Sequence, residues 1–366
     1  MSTLRPADRR RFLALLGLSA VAVGCGTAVG GGGSGKGGTR TLRYQGWTGQ
    51  VTPAELAQDL GHLEDVKLEW VGDTISGPQD IQSAATGQTD FGGAFNGAVV
   101  KLAANGTPVK AVISYYGADK DAYSGYYVLA DSPIRSARDL IGKRVGMNTL
   151  GAHSEAMLDI YLQRGGLSAT EADRVESLVV PPVNTEQSLR QKQIDVAVLS
   201  GVLRDKALAS GGLRPIFTDH QLLGSFSAGT YVMTERFVEQ NPDTVRTFVT
   251  GVGRAIDWSR TTPRDEVVAR MTEIVKKRGR NEDVATLRYW KSFGVARPGG
   301  RIDGDEFRLW IDWLAERGDI DRGRVRLDAL YSNDYNAAAS ASPSPSAPKA
   351  TASGTTATAT ATASGR

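Results

Sequence analysis

Between residues 41 and 218, short apolar runs alternate with stretches whose apolar residues recur every three or four positions. The short runs, rich in β-branched and aromatic residues, predict strands at Leu42–Tyr44, Lys67–Val71, Asp90–Ala94, Val109–Tyr115, Tyr126–Ala130, Arg144–Met147, Ser177–Val180, Asp195–Leu199 and Pro215–Phe217. The periodic stretches predict helices over residues 53–60, 78–86, 97–104, 152–164, 185–192 and 202–209. Strand and helix in alternation argue for α/β architecture with largely parallel sheets. From about residue 235 the pattern turns helical. Val245, Phe248, Val249, Val252 and Ile256 form one apolar stripe, and Phe307, Trp310, Ile311 and Leu314 form another. Both stripes read as core.

The two ends fall outside this pattern. Residues 1–11 are polar and close on Arg9-Arg10-Arg11, and Phe12 to Gly24 form an apolar run of about a dozen residues. A spanning helix needs about 20 such residues, so residues 1–24 read as an export signal rather than an anchor. The order Arg9-Arg10-Arg11-Phe12-Leu13 resembles a twin-arginine signal, with the general secretory route as the alternative. Ala22-Val23-Gly24-Cys25 resembles a bacterial lipobox, whose cysteine is diacylated and heads the mature chain. Two acyl chains hold a protein on a membrane where one does not. Residues 25–39, mostly glycine, read as a lipidated tether, and the formal GxGxxG at Gly30–Gly35 has no strand before it or helix after it. Residues 337–366 are almost all Ala, Ser, Thr and Pro, too poor in apolar surface to offset ordering entropy, and are expected to be disordered.

Charge and cysteine content narrow the function. The net charge of +3 is accounted for by four arginines and one aspartate within residues 1–24, so the remainder sums to zero. Nucleic acid is therefore not an expected partner. Cys25 is the single cysteine, which leaves no internal disulfide and no CxxC metal site. GxSxG and HExxH are absent, and His62, His153 and His220 are far apart in sequence.

Several short patterns occur in a telling order: Tyr44-Gln45-Gly46-Trp47 at the end of the first strand, Gly77-Pro78-Gln79 opening a helix, and Gly87-Gln88-Thr89-Asp90-Phe91-Gly92. Asn96-Gly97, Asp131-Ser132-Pro133-Ile134, Asp139-Leu140-Ile141-Gly142-Lys143-Arg144-Val145-Gly146 and Gly165-Gly166-Leu167 follow. From about Leu42 to Phe217 the chain resembles the substrate-binding proteins of the nitrate, sulfonate and taurine ABC importers, thiamine-precursor receptors included. The resemblance implies a type II periplasmic-binding fold, two α/β lobes joined by two crossover strands, with a helical C-terminal completion. Lobe one would be residues 40–125 plus 231–336 and lobe two residues 126–230, with crossings near Tyr123–Tyr127 and Ser227–Val232. It implies a monomeric extracytoplasmic receptor, not an enzyme, with no cofactor or metal. Its partners would be a small-molecule ligand, the permease of an ABC importer and, through Cys25, the outer face of the cell membrane.

Ligands of open parallel sheets sit beyond the carboxyl ends of the strands, where helix N-termini offer free N–H groups to an anion. The loop Asn148–Ser154, with Thr149, Gly151, His153 and Ser154, occupies such a place, as do Asn96-Gly97 and Ser76-Gly77. Trp47, Tyr116 and Tyr123 are candidates to wall the cleft. Ser200 and Thr230 come from the family's loop and hinge positions. Ser76, Asn96 and Ser154 have helix capping as their ordinary alternative. Arg204, a turn into its helix, is expected in a surface ion pair. The expected ligand is a small anionic organic solute, sulfonate-like, with nitrate or a vitamin precursor as alternatives. The competing class is a thiamine-pyrimidine or menaquinone-route enzyme on the same fold.

Overall fold

The computed structural model describes residues 38–337. The expected export signal 1–24, Cys25, most of the expected tether and the residues beyond 337 lie outside the described residues. Among those described, no helix is long and apolar enough to cross a membrane.

Ten strands of the described residues make three sheets. β1 (Thr41–Gly46) and β2 (Lys67–Asp73) pair in parallel. β10 (Phe226–Thr234) lies between β3 (Gly92–Phe95) and β4 (Val109–Ala118), antiparallel to both. The third sheet runs β7 (Glu176–Val179), β6 (Arg144–Met147), β8 (Val196–Leu199), β5 (Gly125–Leu129), β9 (Leu213–Thr218). Its β7, β6 and β8 are parallel, and β5 runs against β8 and β9. All nine expected strands are present within a few residues. The sheets are less parallel than expected because β5 and β10 are not joined to their neighbours by crossovers within one sheet. Each comes over from the other sheet, β5 through residues 119–124 and β10 through residues 219–225 with the short helix Asp219–Leu223, and runs antiparallel to its neighbours. The two extended segments expected to carry the crossings lie at or just past these passages.

Helices α1 (Pro53–Asp59), α2 (Gly77–Ala85), α3 (Asn96–Ala104) and α4 (His153–Arg164) follow β1, β2, β3 and β6 in turn. α5 (Ala169–Ala172), α6 (Pro182–Arg190), α7 (Gly201–Ala209) and α8 (Asp219–Leu223) complete that half of the chain. α1 is started by Thr52, which accepts from the Glu55 N–H while Glu55 returns a bond to the Thr52 N–H, with Pro53 in the first turn. The short α5 and α8 escaped the periodicity but carry the same signature, Ser168 with Glu171 and Thr218 with Gln221.

The rest is α9 (Glu235–Gln240), α10 (Pro242–Thr261), α11 (Arg264–Lys277), α12 (Gly304–Glu316) and α13 (Leu327–Leu330). Both predicted stripes are buried: Val245, Phe248, Val249, Val252 and Ile256 of α10, and Phe307, Trp310, Ile311 and Leu314 of α12. Each such side chain contributes about 1.5–3 kcal/mol of burial free energy. α10 packs on α1, and α12 packs on α3. The helical pattern expected from 235 onward breaks over residues 278–303, where only two short 3-10 turns form, Ala285–Tyr289 and Pro298–Gly300. Glycines with positive φ at 279, 294, 299 and 300 account for the break, since a helix cannot continue through them.

Candidate functional site

The chain passes between the three- and five-stranded sheets twice, and the two passages are bonded to each other. Asp219 N–H donates to the Ser124 carbonyl at 3.0 Å, and Ser124 N–H donates to Asp219 Oδ1 at 3.0 Å. Beside them opens a cleft of about 330 Å³. One side is built from the loop after β1, the start of α2, and the ends of β3 and β4. The other is built from the loops that leave β6 and β8. A third contribution, Leu287, Trp290, Ser292 and Phe293, comes from the non-helical stretch before α12.

β6 and β8 are parallel neighbours, so α4 and α7, which follow them, begin side by side at the cleft. Neither has a side-chain cap, and nor does α6. Ser200 stands at the cap position of α7 but makes no bond to its own helix, so its hydroxyl is not committed there. On the opposite side the situation reverses. Thr52 caps α1 and Ser76 caps α2, accepting from the Gln79 N–H at 3.4 Å. α3, which follows β3, also lacks a side-chain cap, so unpaired N–H groups and partial positive charge are most numerous on the β6/β8 side without being confined to it.

Of the residues singled out from the sequence, Trp47, Tyr116, Thr149, His153, Ser154 and Ser200 line the cleft, and so does Tyr123. Ser76 sits one residue back from the lining Gly77. Asn96 is fully buried as the first residue of α3, its Nδ2 donating to the Ser227 carbonyl at 3.3 Å. Gly97 packs against the Phe95 ring. Thr230 is buried within β10, facing Ala94 on one neighbour and Ser114 on the other. Gly151 is exposed, has φ of 69°, and donates its N–H to Glu155 rather than toward the cleft. Cys25 lies outside the described residues.

The loop carrying Trp47 is pinned at successive residues. Thr48 Oγ1 donates to Asp73 at 2.8 Å, Gly49 N–H to Glu282 at 2.6 Å, and Arg278 reaches the Gln50 carbonyl at 2.7 Å. Arg278 also pairs with Glu55 at 2.6 Å and with Glu282 at 2.7 Å. Tyr116 needs the glycine opposite it: a Cβ on Gly229 would lie 2.0 Å from its ring. Burial, then the charge of Asp219, pushes the Tyr116 phenol up, so it remains a protonated donor. Burial does the same to Tyr115, which stacks on Tyr231 with ring centroids 4.2 Å apart.

His153 is buried at the start of α4, its ring stacked against Phe95 and edged by Phe226. Its Nε2 lies 3.1 Å from Asp219 Oδ2. Asp219 is fully buried and also accepts from the Ser124 and His220 N–H groups, so this pair sits at the junction of the two passages. Arg204 departs from the expectation of a surface ion pair. It is 1% exposed and pairs with Asp205 at 2.8 Å. It also donates to the carbonyls of Tyr123 and Asp121, and lies 3.8 Å above the Tyr123 ring. α7, which carries it, packs against the Ala285–Tyr289 turn.

Sequence reasoning missed Gln50, Thr52, Tyr115, Thr185, Trp290 and Phe293, all of which line the cleft. Tyr115, next to the chosen Tyr116, is cleft-facing because β4 is irregular where it meets β10. Trp290 and Phe293 were assigned to helical completion; two aromatics in a stretch holding Gly294 and Pro298 were the available sign that this segment is not helix.

Comparison with known proteins follows the fold. A family model described as NMT1/THI5 like matches residues 49–266. No curated protein matches the chain. The alkanesulfonate-binding protein SsuA from Xanthomonas axonopodis pv. citri, solved with MOPS, superposes with TM-score 0.62 at 19% identity, covering 81% of this chain and 99% of that one. The periplasmic nitrate-binding protein NrtA from Synechocystis PCC 6803 gives TM-score 0.62 at 14% identity, over 81% and 87%. The desulfurization enzyme DSZB gives 0.55 at 17%, over 81% and 97%. At these identities the likeness is one of fold.

Proposed function

The chain belongs to the NMT1/THI5-like family, and from that premise we propose that it is an extracytoplasmic solute-binding receptor. It captures a small anionic organic solute, sulfonate-like in its head group, and delivers it to the permease of an ABC importer. The observation that carries this reading is the cleft. Its aromatic walls, Trp47, Tyr116, Tyr123 and Trp290, offer flat apolar surface, and the uncapped starts of α4 and α7 offer N–H groups at its β6/β8 side. A solute with an apolar body and one anionic end fits that division. Alkanesulfonate- and nitrate-binding proteins on the same fold support the class. The walls favour an organic body over bare nitrate.

In this reading Trp47 and Tyr116 form the wall, while Thr149, His153, Ser154 and Ser200 surround the anionic end. Ser76, Asn96, Gly97, Gly151 and Thr230 hold the frame behind it. Residues 40–125 with 231–336 act as lobe one and residues 126–230 as lobe two, closing on the solute by hinge motion at the two bonded passages. The protein works as a monomer, exported by the signal 1–24 and held on the membrane by lipidated Cys25. The tail beyond 336 takes no part in binding.

A thermal-shift panel of sulfonates, oxyanions and vitamin precursors tests the ligand, because a solute at 100 times its Kd adds about 2.7 kcal/mol to the native state. No shift with any anionic solute would sink the anionic reading. Turnover of a bound solute by the purified protein would replace the receptor with an enzyme. Cys25→Ser is expected to move the protein from the membrane fraction to the soluble one while it stays folded, and retention in the membrane would overturn the anchor.

A further inference from the structure

The cleft has polar groups in plenty and no charged side chain of the ordinary kind. Among the described residues that line it there is no Lys, Arg, Asp or Glu; its titratable groups are His153 and the phenols of Tyr115, Tyr116 and Tyr123. The charges packed immediately behind are already matched. His153 faces Asp219 at 3.1 Å. Arg204 is taken up by Asp205 and two carbonyls. Lys291 shares the same Asp205 at 3.1 Å and has 44% of its side chain in solvent. On the Trp47 side, Glu55 is paired with Arg278. What remains to meet a negative charge is helix dipoles alone: the uncapped starts of α4 and α7, with those of α6 and α3 beside them, each equivalent to at most roughly half a positive charge. These are fixed partial charges, and none is a cation that could pair with a second negative charge.

We infer that this cleft selects by charge state, accepting a solute head with one negative charge and excluding the same head with two. The inference deepens the receptor reading and rests on it. The cost of removing an ion from water grows with the square of its charge, whereas the attraction of fixed dipoles grows only in proportion to it. A second charge in a site without a free cation therefore adds far more desolvation cost than attraction. Sulfonates and sulfate monoesters meet the condition at any ordinary pH. Phosphate monoesters meet it only below their second ionisation, at about pH 6.

The test uses matched sulfate and phosphate monoesters, ethyl and phenyl, titrated calorimetrically into the purified receptor at pH 5 and pH 8. Sulfate esters are expected to bind at both pH values with similar affinity. Phosphate esters are expected to bind at pH 5 and to weaken by roughly two orders of magnitude at pH 8. A change in the protein between the two pH values falls on both esters, so the sulfate-to-phosphate ratio isolates the charge of the solute. In a second arm Ser200→Lys places a cation at the exposed start of α7, and should recover at least tenfold of the phosphate affinity at pH 8. A phosphate-to-sulfate ratio that does not change with pH, or that Ser200→Lys leaves untouched, would overturn the inference while the receptor stands. Binding of neither ester would overturn the anionic reading and the inference together.

Discussion

Asp205→Ala is the most informative single change in the molecule, because it separates a buried charge from its partner beside the cleft. Arg204 is 1% exposed and Asp205 8%. The guanidinium makes contacts of 2.8 and 2.9 Å from Nη2 and 3.0 Å from Nε to that one carboxylate. Without Asp205, two carbonyls and the Tyr123 ring remain around a full positive charge with little access to water. An uncompensated buried charge of this kind costs about 3–5 kcal/mol. The opposite deletion is gentler. In Arg204→Ala, Asp205 keeps Lys291 at 3.1 Å, so the loss is that of hydrogen bonds and the ring contact, about 1–3 kcal/mol. For a chain of this size each kcal/mol moves Tm by about 2 °C, so Asp205→Ala should lower it by about 6–10 °C and Arg204→Ala by less. Replacing both at once, Arg204→Met with Asp205→Leu, should restore much of the loss, since an apolar pair leaves no charge behind. Differential scanning calorimetry of the four proteins reads the comparison directly. The reasoning fails if Asp205→Ala costs no more than Arg204→Ala, or if both cost under about 1 kcal/mol, as a solvent-screened pair would.

Two further changes probe the wall and the frame. Trp47→Ala should weaken an organic sulfonate by at least about tenfold and nitrate far less, because nitrate has little apolar surface to lose; equal losses by calorimetry would make Trp47 a structural residue. Burial raises Asp80 and Glu306, each to about 7, from 3.8 and 4.5. Raised carboxyls stabilise the fold fully below their unfolded values and lose that contribution as pH rises through the folded ones, so stability should fall from about pH 4 to pH 7. Glu306→Gln keeps an oxygen for the Ser227 N–H, now bonded at 2.7 Å, and should flatten part of that slope; an unchanged slope in Tm against pH would refute the assignment.

Much of the architecture was legible from local pattern. The strand and helix alternation and the apolar stripes of α10 and α12 are short-range features, and short-range physics decides them. The loop after β6 was legible as a candidate site element because its residues lie between a strand and a helix, a place defined by order along the chain. The direction of β5 and β10 was not, since nothing in either strand's composition records the end from which it enters its sheet.

Sequence alone determined that this chain alternates β and α, that its net charge resides in residues 1–24, and that Trp47, Tyr116, His153 and Ser200 were worth watching. Tertiary structure decided what those residues face. It buried Asn96 with its Nδ2 on the Ser227 carbonyl, and Thr230 within β10 between Ala94 and Ser114. It brought Trp290 and Phe293 into the lining of the cleft from the stretch before α12. It also buried Arg204 and Lys291's shared partner Asp205, leaving the cleft without a free cation. Charge balance is a property of which groups meet across sequence distance, and no local pattern encodes it.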